Sequence, residues 1–201
     1  GNVSHPAKVI AVTVAAAVGG LLFGFDTAVI NGAVDAIGGE FSLSAGVLGF
    51  TVAITLLGCA VGAWFAGQLA DRLGRKTVMV TAAVLFAANS IGSAWAFSVW
   101  DLMLWRLIGG LAIGTASVIA PGYIAEVAPA KWRGALGSIQ QLAITLGIFA
   151  ALLSDAWLAN TAGSAFNELW WGMAAWRWML LVGVAPAIVY GILALTIPES
   201  P

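Results

Sequence analysis

The chain reads as six long apolar stretches separated by short polar breaks. They run over about residues 8–31, 45–70, 77–97, 101–123, 134–156 and 176–197. Each reaches the ~20 residues that a helix needs to cross a ~30 Å hydrocarbon core. Polar and apolar positions do not alternate as they would in a barrel strand, so the predicted elements are transmembrane helices. The second stretch is long enough to require tilt or an overhang. Turn chemistry marks the breaks: Asn31–Gly32, Gly38–Gly39 and Ser42–Ser44 in the first loop, and Ala128–Pro129 in the fourth. Pro121 and Pro186 fall inside stretches and predict bends or breaks, because each removes a helical donor. The first stretch is too long for a secretory signal and continues into Gly24-Phe25-Asp26 without a cleavage site.

Composition narrows the class. Hydrophobic residues make up 61% and charged residues 8% of 201 residues, with mean hydropathy +1.00. A soluble domain carries roughly 25% charged residues, and a disordered chain is more polar still. The expectation is a single all-α membrane bundle with no soluble domain. A net charge of −1 offers no basic surface to nucleic acid. Cys59 is the only cysteine and sits among apolar residues, which suits packing. His5 is the only histidine, so neither a Ser-His-Asp set nor a metal cluster can be assembled, and neither an enzyme nor a bound cofactor is expected.

The few charges set an orientation. With the N-terminus cytoplasmic, Lys8, Arg72, Arg75, Lys76, Lys131 and Arg133 all fall inside, against Arg177 alone outside. The outer loops then hold Asp35, Glu40, Asp155 and Glu168. That bias places both termini in the cytoplasm. Trp95, Trp100, Trp105, Trp157, Trp170, Trp171, Trp176 and Trp178 fall near outer ends, where an amphipathic ring suits the interface. Gly58-x-x-x-Gly62 and Gly110-x-x-x-Gly114 set small residues on one helical face, which permits close backbone approach in lipid.

Two charges remain inside stretches. Asp26 lies 18 residues past Lys8, roughly 27 Å along a helix, and Arg106 lies five residues into a stretch entered from the other side. Both sit in the outer half, where an unpaired charge costs at least ~2.5 kcal/mol. An ion pair between the first and fourth helices is expected. It could simply orient the two helices, or Asp26 could gain and lose a proton as water access changes sides. Gly19, Phe23 and Ile30 recur on one face around Asp26. Gly137, Gln141, Ile144 and Ile148 share a stripe in the fifth stretch. Gln140 and Gln141 point ~100° apart, so only one of the two is expected to lead into a given cavity.

Gly67-Gln68-Leu69-Ala70-Asp71-Arg72-Leu73-Gly74-Arg75-Lys76 predicts a tight turn in which Gly67 permits close helix contact and Gly74 a positive φ. This decapeptide resembles the signature loop of the major facilitator superfamily. The run Gly19 to Gly32, Arg106-Leu107-Ile108-Gly109-Gly110, Pro121 to Glu126 followed after six residues by Arg133-Gly134, Gln140-Gln141 and Pro198-Glu199-Ser200-Pro201 narrow the resemblance to its sugar porter family. The resemblance implies the N-terminal six-helix half of the fold, built of two inverted three-helix repeats. It implies Asp26 and Arg106 as the proton-coupling pair, with the proton as the coupling ion. Gln141, Gln140, Phe23 and Ile144 become monosaccharide contacts, Gln140 the weaker candidate. Gly67, Asp71, Arg72, Arg75, Glu126, Arg133 and Glu199 become a cytoplasmic latch.

Family members have twelve spans, and six are expected here. The second half, which supplies most sugar ligands in the family, is not in the sequence, so little or no transport is expected from this chain alone. The partners implied are a monosaccharide, the cell-membrane bilayer, and a further six-helix half or a second copy of the chain. Proton symport is the leading reading; a facilitative uniporter half and a non-transporting assembly or folding half stand beside it.

Overall fold

A computed structural model describes residues 6–127 and 130–196. Seven helices and one small hairpin follow in order: α1 (Pro6–Glu40), α2 (Ala45–Leu73), α3 (Arg75–Ala94), α4 (Val99–Val127), α5 (Ala130–Ala162), β1 (Glu168–Trp170), β2 (Met173–Ala174), α6 (Ala175–Leu181) and α7 (Val184–Thr196). They provide six helical segments long and apolar enough to cross a membrane, the last formed by α6 and α7 together. The α2–α3 turn marks the basic end of the bundle, and the hairpin marks the opposite end.

Several boundaries differ from the sequence expectation. Asn31–Gly32 and Gly38–Gly39 do not break α1, which continues to Glu40. A helical glycine costs about 1 kcal/mol against alanine. Ala33, Ala36 and Ile37 in the extension are almost fully buried, and that burial holds the helix together. The helix ends two turns later, where Leu43 N–H donates to the Gly38 carbonyl at 2.9 Å and Ser42 takes φ 53°. This is the 6→1 closure with a left-handed residue that terminates many helices. Ser44 then caps α2 by accepting from the Val47 N–H.

Gly74 is the single residue between α2 and α3, with φ 86°, as the turn motif predicts. Pro186 does coincide with a break. The sixth span is interrupted at Val182–Gly183, where tight bonds run from Gly183 N–H to Leu180 O and from Ala185 N–H to Val182 O. Pro121, by contrast, lies within the continuous α4. Ala128–Pro129 lies outside the described residues.

Two backbone seams hold the bundle. In the first, α2 packs on α4. A methyl group on Gly58 would lie 2.5 Å from the Leu107 carbonyl oxygen, and one on Gly110 would collide with that of Thr55. Gly62 against Leu111 and Gly114 against Cys59 continue this seam. In the second, α1 packs on α5 through Gly24 against Ile144 and Gly147 against Leu21. Helix α3 packs on α4 and α7. The buried apolar residues form two clusters. One lies toward the basic end around Phe86, Ile113 and Tyr190, the other toward the hairpin end around Phe25, Ile37 and Trp176.

The tryptophans expected as interface anchors divide. Trp171 is 90% exposed, and Trp95, Trp100, Trp157 and Trp170 are exposed with it. Trp105 and Trp178 are half-buried. Trp176 is 1% exposed and is a core residue instead. Phe41 meets its ring edge-on, and the Arg177 guanidinium lies 4.3 Å over it. Arg177 also donates to the carbonyls of Ala94 and Ala96 at the end of α3. A lone basic residue in the sequence thus ties the end of α3 to α6, and its Nη2 lies 3.6 Å from Glu40 Oε1 at the end of α1.

Candidate functional site

The expected pairing of Asp26 and Arg106 is present. Arg106 Nη1 and Nη2 donate to Asp26 Oδ1 and Oδ2, both at 2.8 Å. The exposures are 2% for Asp26 and 3% for Arg106. Two parallel charge-assisted bonds fix both angle and distance, as the guanidinium fork allows. The pair sits between the two apolar clusters, in a space lined by Phe25, Val29, Phe86, Asn89, Ser90, Ser93, Leu180 and Gly183 that leaves no room for a water molecule.

A different region begins about one turn away along α1. Gly20, Phe23, Ser117, Gln140, Gln141 and Ile144 line a cavity of about 410 Å3 that is open on one side. Gly20 makes room for α5, since a methyl group there would lie 3.0 Å from the Gln140 carbonyl oxygen and 3.2 Å from Ile144 Cγ1. The volume falls within the ~300–1,000 Å3 typical of small-molecule sites. Its polar groups are two carboxamides and one hydroxyl, all neutral donors and acceptors. A flat apolar ring, Phe23, stands beside them.

The four residues expected to contact substrate, Phe23, Gln140, Gln141 and Ile144, are therefore brought together. One expectation is corrected: both glutamines line the cavity, not one. Adjacent side chains on a helix point ~100° apart, but an open cavity wider than one side chain accepts both. Asp26 and Arg106 are not part of this lining.

Sequence reasoning missed several residues. Ser117 lies eleven residues, or three turns, beyond Arg106 on nearly the same face of α4, and that offset was the available signal. Asn89, Ser90 and Ser93 lie together on α3 and reach the ion pair. Asp155, expected in an outer loop, is in α5 and 4% exposed, so Asp26 and Arg106 are not the only charged residues buried within a span. The reason is length, because α5 runs on to Ala162.

The latch residues are only partly placed. Asp71 and Arg72 are exposed in the last turn of α2, and Arg75 opens α3. Glu126 falls in the last turn of α4 and Arg133 in the first turn of α5, but the side chains of Arg75, Glu126 and Arg133 lie outside what the structure describes. Glu199 lies outside the described residues. Gly67 corrects the sequence reading: among the described residues a methyl group there would meet nothing within 4 Å, because it points from the poorly covered face of α2.

Comparison with known proteins decides the family. A family model described as "Sugar (and other) transporter" matches residues 12–201. The chain belongs to that family. The glucose transport protein of Synechocystis sp. is 54% identical over 194 residues, which cover 96% of this chain and 42% of the relative. The galactose-proton symporter of Escherichia coli is 42% identical over 198 residues, covering 98% of this chain and 40% of the relative. The solved structure of the major facilitator superfamily proton:xylose symporter XylE, bound to 6-bromo-6-deoxy-D-glucose, matches with a TM-score of 0.87 at 35% identity. It covers 97% of this chain and 46% of that one. The fold of this family member is the N-terminal six-helix half of the major facilitator architecture, in a multi-pass membrane protein. The chain spans about two-fifths to half the length of these relatives.

Proposed function

We propose that this six-helix unit is the proton-handling half of a monosaccharide transporter that works by alternating access. The sugar binds against Gln141, Gln140, Ser117, Phe23 and Ile144 and is moved without chemical change. The opposite wall comes from a second six-helix half, or from a second copy of the chain. The single observation that carries this reading is the bidentate Asp26–Arg106 pair, closed to water, on the same helix as the open neutral cavity. Unlike Arg106, Asp26 can take up a proton. Protonation removes the charge–charge attraction of the pair, leaves a weaker hydrogen bond and frees α1 to move against α4. Sugar held against α1 and α5 about one turn away senses that movement. Release of the proton on the far side restores the pair and resets the bundle.

Orientation follows the basic residues. The α2–α3 turn faces the cytoplasm of a cell membrane, as do both termini. Asp71, Arg72, Arg75, Glu126, Arg133 and Glu199, with Gly67, form the latch at that end when the transporter opens outward. The similarity to a galactose-proton and a xylose-proton symporter supports a six-carbon or five-carbon sugar as the substrate and the proton as the coupling ion. The test is sugar-dependent proton uptake by liposomes that hold the unit joined to a complementary half. Symport gives medium alkalinisation on sugar addition and net flux that rises with an inward proton gradient. Equal flux with and without the gradient would establish a uniporter with a purely structural pair.

A further inference from the structure

Only two of the five guanidinium N–H donors of Arg106 are engaged by Asp26. Its two Nη groups bind Asp26, while its Nε–H is buried with no acceptor among the described residues. A guanidinium does not shed its proton, so when residue 26 loses its charge Arg106 remains a buried cation. Such a cation is costly unless other acceptors reach it. The surrounding space has no room for water to serve. Its lining is apolar except on α3, which contributes Asn89, Ser90 and Ser93.

These three are built into the packing. Asn89 is 1% and Ser93 0% exposed, and Ser93 Oγ donates to Asn89 Oδ1 at 3.2 Å. The Asn89 carboxamide rests on Gly109, one turn along α4 from Arg106, where a methyl group would lie 2.5 Å from Asn89 Cγ. Ser90 Oγ rests on Gly183, at the break between α6 and α7, where a methyl group would lie 2.6 Å from it. Two glycines thus admit polar side chains of α3 into the space that holds the ion pair. Asn89 Oδ1 takes one long hydroxyl bond and keeps a second lone pair. Of the charged and titratable groups around the pair, α1 presents Asp26, α4 presents Arg106, and α2 brings the Cys59 thiol within electrostatic reach of both. The described residues of α3, α5, α6 and α7 add none to the lining.

We propose that Asn89 is the acceptor that receives the Arg106 guanidinium when residue 26 becomes neutral, with Ser93 holding the carboxamide in place. Asn89 is a positioning residue: it keeps the Arg106 charge satisfied in the protonated state, and so sets the energy gap between the two states of the bundle. The inference deepens the proton-coupling reading and rests on it. No covalent bond changes; one set of hydrogen bonds replaces another.

The test uses the 201-residue chain in lipid bilayers, with arginine labelled in 15N and asparagine in 13C. Asp26→Ser removes the counterion without adding a carboxamide, and Asp26→Ala serves if that variant does not fold. The expected result is a contact at hydrogen-bonding range between the Arg106 guanidinium and the Asn89 side-chain carbon, lost in Asn89→Leu and missing from the wild type at neutral pH. In a double-mutant cycle, Asp26→Ser with Asn89→Leu should melt about 2–4 °C or more below the sum of the single variants. A guanidinium that contacts water but not Asn89, or strictly additive melting shifts, would overturn the proposal. Acidified wild type should gain the same contact. If it does not while Asp26→Ser does, the role of Asn89 stands and protonation of Asp26 is what fails.

Discussion

The Asp26–Arg106 pair and the glutamine-lined cavity touch the same helix, with Phe23 and Asp26 three residues apart on α1. Their physics is opposite. The pair is charged, buried to within 3% and too tight for water. The cavity is neutral, open and about 410 Å3 in volume. A charge in low dielectric binds strongly and changes in whole steps, by gaining or losing a proton. Carboxamides facing an open space bind weakly and exchange easily. A coupled transporter needs both properties, and α1 carries them about one turn apart with no lining residue in common, while the backbone seam at Gly24 and Gly147 ties it to α5. The difference shows how a sugar and a proton can influence each other without meeting.

Substitutions can break this contrast from either side. The largest effect is expected for Asp26→Ala, which leaves a guanidinium buried without its counterion. A loss of about 3–5 kcal/mol should appear in thermal unfolding in lipid or detergent. Arg106→Leu should cost less, about 1–3 kcal/mol, because the remaining carboxyl can accept a proton and become neutral. If the two variants lose equally, the asymmetry assigned to the pair is wrong. Next comes Gly24→Val between the two regions, whose side chain would collide with the Ile144 backbone. About 1–3 kcal/mol of stability should be lost, together with sugar binding and proton coupling.

Cavity substitutions should behave in the reverse manner. Gln141→Ala should leave stability within about 0.5 kcal/mol, since the side chain is exposed. Sugar affinity of the completed transporter, measured by calorimetry, should fall about two- to tenfold, the value of one hydrogen bond. Ser117→Ala should be smallest, about twofold, because its hydroxyl already donates to the Ile113 carbonyl at 2.8 Å and offers sugar only an acceptor. A cavity variant that melts early would blur the division between the two regions.

Much of this was legible in the residues. Unbroken apolar stretches of the length of a bilayer mark six spans, and the cost of a buried charge pairs Asp26 with Arg106. The turn at Gly74 followed from its sequence alone. What escaped depended on tertiary packing. Asn31–Gly32 and Gly38–Gly39 looked like turns, but buried Ala33, Ala36 and Ile37 carry α1 through them. Trp176 looked like its neighbours until Phe41 and Arg177 enclosed it. Asn89 and Ser93 were invisible because an asparagine in an apolar helix says nothing of what stands opposite. Only Gly109 and Arg106 on the facing helix give it meaning.

The coupling across α1 is tested most directly by comparing two modes of sugar movement in one variant. The unit is joined to a complementary half, reconstituted in liposomes, and studied as wild type and Asp26→Asn. Sugar exchange at equal concentrations needs only the open cavity and the rocking of the bundle, so both proteins should exchange. Uphill accumulation driven by a proton gradient needs Asp26 to titrate, so only the wild type should accumulate. An Asp26→Asn variant that still concentrates sugar against its gradient would contradict the coupling role of the pair.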